Sequence, residues 1–404
     1  MQFRTYFAGL QQKKENEGQV VFKTPLVYFG KGSLAKVRTL KGERALIVGG
    51  KKSTELGFVS NVETILKSKG FEVKAFNGLE PEPKDSTIFN CAKLAAEFKP
   101  DWFIGLGGGS SMDVAKASFF LYERPEADLH LINPTLELGL RKKARLAEIS
   151  TTSGTGSEVT CAYVFTDSKT GRKVLGFNFE FIPDVAIVDP KLAFKMPPQL
   201  RADTGLDALS HAVESYICNL RNSFADTLAI RTIQNVFQYL ERSYKTGDEQ
   251  AMEQMHYAAT YGGMAITSSL TSTAHIIGHV IGALFHVPHG RAVGLVLPYF
   301  VEYCGKTSKT RYLEILKALQ VEGATLEDST QKFSTMIRDL MAEIKEPTKV
   351  SDLGIKEEKF KEKIPSIANF AVMDGAAALG PRTPSGKELP TMLEYMLTGK
   401  PIDF

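Results

Sequence analysis

Through about residue 190, short runs of β-branched and aromatic residues alternate with stretches whose apolar positions recur at helical spacing. That is the rhythm of parallel strands joined by helical crossovers. Strands are expected at 20–22, 27–29, 45–48, 72–76, 102–106, 147–150 and 185–188. Several run into Gly- or Ser-rich turns followed by helical segments, the position in a strand–turn–helix unit where free N–H groups receive a phosphate. Beyond Asp189-Pro190 the rhythm changes. Leu228, Ile230, Ile233, Val236, Phe237 and Leu240 lie at helical spacing, as do Leu313, Leu316 and Leu319. The pattern predicts an α/β domain over residues 1–190 and an all-helical domain over 191–404. Residues 345–363, rich in Lys, Glu and Pro, read as solvated helix and loop.

Composition narrows the function more than the fold. The 404 residues are 43% hydrophobic and 24% charged, enough to bury large cores in about two domains. Forty-nine basic against 46 acidic residues leave a formal charge of +3, too small and too dispersed for a nucleic-acid partner. A small-molecule substrate is expected instead. The N-terminus lacks the continuous apolar core of a secretory signal, and no stretch reaches about eighteen uninterrupted apolar residues, so a cytoplasmic protein without a membrane partner is expected. Cys91, Cys161, Cys218 and Cys304 form no CxxC pair and are expected to be buried free thiols.

Three motifs carry candidate chemistry. Gly105-Leu106-Gly107-Gly108-Gly109-Ser110-Ser111-Met112-Asp113 sits between the apolar run 102–106 and the helical pattern 114–121. Glycines let the backbone approach an anion, and the following helix offers its free N–H groups and dipole to a pyrophosphate. Asp113 and the serines are expected to cap that helix. The spacing is not GxGxxG, and by itself the run is equally an ordinary turn. The second motif, Ser150-Thr151-Thr152-Ser153-Gly154-Thr155-Gly156-Ser157-Glu158, is nearly all hydroxyl and glycine and follows another candidate strand. Its short polar groups suit a ribose, phosphate or carboxamide, and two such loops in one domain favour a bound cofactor over two plain polar loops.

The third motif lies in the helical half. Asp207 and His211 are four residues apart, a spacing that puts carboxylate and imidazole on one helical face. His275 and His279 repeat it, His286 and His289 follow, and with His256 six of the seven histidines fall between residues 211 and 289. A lone histidine is more often a satisfied core or surface residue, but this cluster points to a metal site. Imidazole and carboxylate donors without thiolates suit Fe²⁺ or Zn²⁺ in an open catalytic site rather than a structural zinc cluster. Such an ion polarises a carbonyl oxygen, as hydride transfer to or from nicotinamide requires.

Over nearly its whole length the chain resembles the iron-containing (group III) alcohol dehydrogenase family. Residues 107–116 (GGGSSMDVAK) look like that family's pyrophosphate turn and 151–158 (TTSGTGSE) like its second cofactor loop. Residues 207–214 (DALSHAVE) and 275–290, from HIIGH through PHG, look like its two metal segments. The resemblance implies an N-terminal dinucleotide-binding α/β domain, a C-terminal helical domain and often a homo-oligomer. Asp207, His211, His275 and His289 would then be the metal ligands. His279 would lie near the nicotinamide without binding metal, as a proton relay, while His286 matches no ligand position. The cofactor contacts would come from Gly49, Gly50, Lys51, Ser53, Gly107, Gly108, Gly109, Ser110, Asp113, Thr151, Thr152, Thr155, Ser157, Lys173 and His279.

One departure from the family bears on cofactor choice. NAD-preferring members carry an acid after the strand at 45–48 to hold the ribose 2′-hydroxyl, whereas this chain has Gly49-Gly50-Lys51-Lys52-Ser53. With no carboxylate to repel a 2′-phosphate and two lysines to attract one, NADP(H) is favoured over NAD(H). The expected function is a metal-dependent alcohol dehydrogenase or aldehyde reductase. A lyase of the dehydroquinate synthase type would need a basic cluster beside the metal, yet only Arg291 adjoins a ligand histidine. A non-catalytic binding protein retaining the fold is disfavoured because every expected ligand is present.

Overall fold

The computed structural model describes residues 21–404 except Pro81 and Thr135. The chain divides into two compact units, Lys23–Met196 and Pro197–Phe404, and Phe22 goes with the second, stacking on Phe224 at 5.2 Å between ring centroids. In the first unit, strands β1 (Leu26–Phe29), β2 (Arg44–Gly50), β3 (Glu72–Leu79), β4 (Trp102–Gly107), β5 (Arg145–Ser150) and β8 (Val185–Val188) form one parallel sheet in the order β1-β8-β5-β4-β2-β3. Helices α1 (Lys51–Glu55), α2 (Phe58–Lys67), α3 (Asp85–Phe98), α4 (Gly109–Glu123) and α5 (Pro190–Ala193) complete this unit.

Side-chain alternation explains why the sheet is covered on both faces. Ala45 and Ile47 join Ile104, Ala147 and Ile149 in a core with α2, while Leu46 and Val48 join Phe103 and Leu146 in a core with α3 and α4. Strands buried on both sides read as continuous apolar runs, which is how 45–48 and 102–106 stood out. The candidate strand at 20–22 differs: Val20 lies outside the described residues, and Val21 and Phe22 belong to no strand.

A two-stranded antiparallel hairpin, β6 (Ala162–Thr166) with β7 (Lys173–Phe177), was not expected. Its signal is present in the alternation of buried Tyr163 and Phe165 with partly exposed neighbours, and in the Asp167–Gly171 turn, where the Asp167 carboxylate accepts the N–H groups of Lys169 and Thr170.

The second unit is helical: α6 (Pro198–Ile217), α7 (Ser223–Thr246), α8 (Glu249–Ser269), α9 (Thr273–Phe285), α10 (His289–Cys304), α11 (Tyr312–Ala318), α12 (Leu326–Glu343), α13 (Glu357–Met373) and α14 (Glu388–Thr398). Its centre is α6, buried along most of its length and packed into one large apolar core with α7, α9 and α10. Helix α7 shows the amphipathic pattern expected from 228–240, and 345–363 forms a short 3-10 turn and the start of α13. Among the described residues no helix is long and apolar enough to cross a membrane. All four cysteines are buried, and none forms a disulfide.

Candidate functional site

In the helical unit, α6 presents Asp207 and His211 from one face, α9 presents His275 from its first turn, and α10 begins at His289. One donor atom each from Asp207, His275 and His289 lie within 4.8 Å of one another. Asp207 Oδ1 stands 3.3 Å from His289 Nε2, 3.6 Å from His275 Nε2 and 3.8 Å from His211 Nε2. His211 is outside the tight triad but stacks on His275, ring centroids 4.5 Å apart. His279 stands beside this set, its ring 4.9 Å from that of His289 and 6.1 Å from that of His275. His286, in the left-handed region at the C-terminal end of α9, is exposed.

The electrostatics are those of a site arranged around a cation. Asp207 Oδ1 and His275 Nε2 are buried without a hydrogen-bond partner, an arrangement that costs free energy unless something else satisfies them. Burial alone would raise the Asp207 carboxyl, yet His211 and His289 hold it well below the usual carboxylate range. Burial pulls the His211 imidazole down to about 4. For His275, burial is outweighed by Glu214 and Asp207, which raise it to about 9. A buried carboxylate whose Oδ1 has no hydrogen-bond partner, with three imidazole Nε2 atoms 3.3 to 3.8 Å from it, fits a borderline divalent ion.

Glu214 is the residue that sequence reasoning missed. It is fully buried one turn beyond His211 and accepts hydrogen bonds from Ser272 N at 2.9 Å, Ser272 Oγ at 3.0 Å and Ala274 N at 3.0 Å, so it caps the start of α9. It also accepts a hydrogen bond from Nδ1–H of His275, which fixes the ring's orientation and turns Nε2 to the same centre as Asp207 Oδ1. Only its place in the 207–214 motif could have flagged it, because its partner lies on another helix.

The spacing between α6 and α10 has a backbone cause. Any Cβ at Gly290 would collide with the Asp203 carbonyl, so only glycine lets the start of α10 lie against α6. Arg291 Nε then bonds Asp203 Oδ1 at 2.9 Å and Glu346 Oε2 at 3.2 Å. Burial beside Asp203 pushes the Glu346 carboxyl up to about 8.

In the α/β unit, the candidate cofactor residues gather at the carboxyl ends of neighbouring strands. β2 pairs with β3 on one side and β4 on the other, so the direction of winding reverses between β2 and β4, the crevice where α/β sheets bind ligands. Gly49 and Gly50 end β2 there, and Gly107 ends β4 with φ 153°, a conformation that disfavours other residues. A Cβ on Gly107 would press into Ser111 and come within 3.2 Å of Ser53 Oγ, so Ser53 sits at this crevice. Thr151 N donates to Gly107 O at 2.9 Å, and the methyls of Thr152 and Thr155 lie against Gly108 and Gly109, joining the two loops. The Thr152 hydroxyl is buried without a partner. Ser110 lies in the first turn of α4.

One expectation changes. Neither Asp113 nor the serines cap α4: its N-cap is Gly108, with no side-chain cap. Asp113 lies past the first turn, out of reach of the free N–H groups, and instead accepts Ser157 Oγ at 3.0 Å and Val164 N at 3.2 Å. Lys173 begins β7 and pairs with Glu82 at 3.3 Å. Lys51 and Lys52, with side chains 80% and 86% exposed, pair with Glu55.

Comparison with known proteins agrees with both halves of this description. A model for iron-containing alcohol dehydrogenase matches residues 24–190, and one for the C-terminal part of the Fe-containing alcohol dehydrogenase family matches 201–397. A NADPH-dependent butanol dehydrogenase of Clostridium saccharobutylicum is 41% identical over 94% of this chain and 98% of its own length. An aldehyde-alcohol dehydrogenase of Entamoeba histolytica is 35% identical over 92% of this chain, which spans 45% of that longer protein. The solved iron-containing alcohol dehydrogenase of Thermococcus thioreducens superposes with a TM-score of 0.87 at 32% identity, covering 94% of this chain and 100% of that one. By class, then, the protein is an oxidoreductase of the alcohol dehydrogenase or aldehyde reductase type. More narrowly, it belongs to the iron-containing alcohol dehydrogenase family.

Proposed function

We propose that the protein interconverts small alcohols and aldehydes, using a divalent iron held by Asp207, His211, His275 and His289 and a nicotinamide dinucleotide held at the carboxyl rim of the sheet. The convergence of three imidazole nitrogens on the buried, unpartnered Asp207 Oδ1 carries this reading. When bound, the ion supplies Lewis-acid polarisation of the substrate oxygen, and the dinucleotide supplies or accepts the hydride at nicotinamide C4. Glu214 keeps His275 in the donor tautomer. His279, partly buried against the His275 and His289 rings, carries the proton between substrate hydroxyl and solvent. Gly107, Gly108 and Gly109 with the helix start behind them receive the pyrophosphate, and Thr151, Thr152, Thr155 and Ser157 shape the loop beside it.

NADP(H) is the preferred dinucleotide. No acid stands directly after β2, and among the described residues the exposed Lys51 and Lys52 pair with the surface carboxylate of Glu55, a weak partner that a 2′-phosphate can displace. The relative from Clostridium saccharobutylicum, which is named as NADPH-dependent, supports this preference. Self-association through the outer edge of β1, which among the described residues pairs with β8 on its other side alone, fits a homo-oligomer. Four buried cysteines outside any disulfide suit a cytoplasmic setting.

The test combines metal analysis with an aldehyde panel, following the absorbance of reduced nicotinamide. His275→Ala is expected to fold, fail to retain metal and lose turnover. Full turnover by metal-free wild-type protein would overturn the reading.

A further inference from the structure

Lys116, on α4 behind the glycine turn, is completely buried. Its ammonium donates to Ser157 O at 2.6 Å, Ser157 Oγ at 3.0 Å, Thr160 Oγ1 at 3.0 Å and Ala162 O at 3.0 Å. Four acceptors already exceed the three protons of an ammonium, so Lys116 has nothing left to offer a ligand and acts only through the segment it holds. The buried Glu148 is a looser neighbour than these four acceptors. That carboxylate is 3.5 Å away, and neither of its oxygens has a hydrogen bond.

The segment being held has little means of fixing its own shape. Ser153-Gly154-Thr155-Gly156-Ser157 consists of two glycines and three hydroxyl residues, with no large apolar side chain to anchor it. Helix α4 grips it from two positions, three residues apart. Ser157 Oγ accepts from Lys116 and donates to Asp113 Oδ1, and Asp113 Oδ2 accepts Val164 N, so the 157–164 stretch is tied at several points to the helix that follows the glycine turn. Burying a lysine completely is costly unless its charge is put to use, and a Met would fill the same space without that cost.

We propose that Lys116 is a positioning residue for the dinucleotide: its buried ammonium sets the 157–162 segment, and with it the 151–158 loop, in the shape that receives the cofactor. The inference rests on the reading of the sheet rim as the dinucleotide site. The experiment uses the metal-loaded enzyme and measures KM for NADPH, KM for an aldehyde at saturating NADPH, kcat, metal content and thermal midpoint.

Lys116→Met is expected to raise the KM for NADPH about tenfold or more, from the loss of several charge-assisted hydrogen bonds, with aldehyde KM and metal content unchanged. Thr160→Val, which removes one acceptor, moves NADPH KM the same way by about two- to fivefold, and Glu148→Gln leaves it unchanged. A purely structural lysine would lower the thermal midpoint and the active fraction while leaving NADPH KM in place. That result in Lys116→Met overturns the proposal, and if Lys116→Met cannot be obtained folded, an unchanged NADPH KM in Thr160→Val does so. A wild-type enzyme that binds no dinucleotide, or a Gly109→Val variant that binds it as tightly as wild type, sinks the reading of the rim itself, which separates the two failures.

Discussion

Each unit of this protein buries a glutamate completely, and the two meet opposite fates. Glu214, in the helical unit, accepts hydrogen bonds from Ser272, Ala274 and His275, and although burial works against its charge, its pKa ends below the usual carboxylate value. Glu148, in the sheet, has no hydrogen bond to either oxygen, and burial raises it well above that value despite Lys116 at 3.5 Å. Burial does not decide the charge of such a group; the donors aimed at it do. The ionised glutamate orients His275, and the other stands beside a lysine committed elsewhere.

Three changes would break or sharpen that contrast. Glu214→Gln should have the largest effect. It removes the anion that orients His275, so metal affinity should fall about 10- to 100-fold, as for other partners of metal-bound histidines. Equilibrium dialysis with elemental analysis measures it, and unchanged retention would show that the hydrogen bond plays no part in holding the ion.

Glu148→Gln should be nearly silent below about pH 4.5, where it copies an acid that is protonated in the folded and the unfolded chain alike. Its effect appears in the pH dependence of stability. With a folded-state pKa above the unfolded one, Glu148 keeps its proton in the native state after the unfolded chain has lost it. Its contribution is therefore complete below about pH 4.5 and declines as pH rises toward the folded pKa, by at most about 1.4 kcal/mol per unit. Urea unfolding across pH should show a flatter decline above about pH 4.5 in Glu148→Gln; identical slopes in both proteins would mean that folding does not raise the Glu148 carboxyl.

The smallest effect belongs to the exposed pair. Lys51→Glu with Lys52→Glu should lower the preference for NADPH over NADH by a few-fold, on the order of 1 kcal/mol, and the change should shrink at high salt. Ratios of kcat/KM for the two cofactors at two ionic strengths read it directly.

The contrast also explains what was legible in the sequence. Parallel strands buried on both faces leave long apolar runs, so β2, β4 and β8 stood out, whereas the β6–β7 hairpin alternates with partly exposed positions and was passed over. The imidazole and carboxylate donors were visible because their residue types and helical spacing are themselves the chemistry. Glu214 and Lys116 were not, since each acts on partners 41 to 61 positions away that only the fold brings near. Asp113 was read as a cap because an acid beside a helix start usually is one, but position alone does not show that its carboxylate turns to Ser157.

The bare backbone at position 290 has a practical consequence for redesign. Because a main-chain carbonyl rather than a pliable side chain fills the space beside it, the separation between the α6 carboxylate and the α10 imidazole is set like the jaws of a fixed-width wrench. A redesign for a larger or smaller ion can vary the torsions of His289, whose side chain is 41% exposed, but even the addition of one methyl group at the neighbouring position would force the jaws apart.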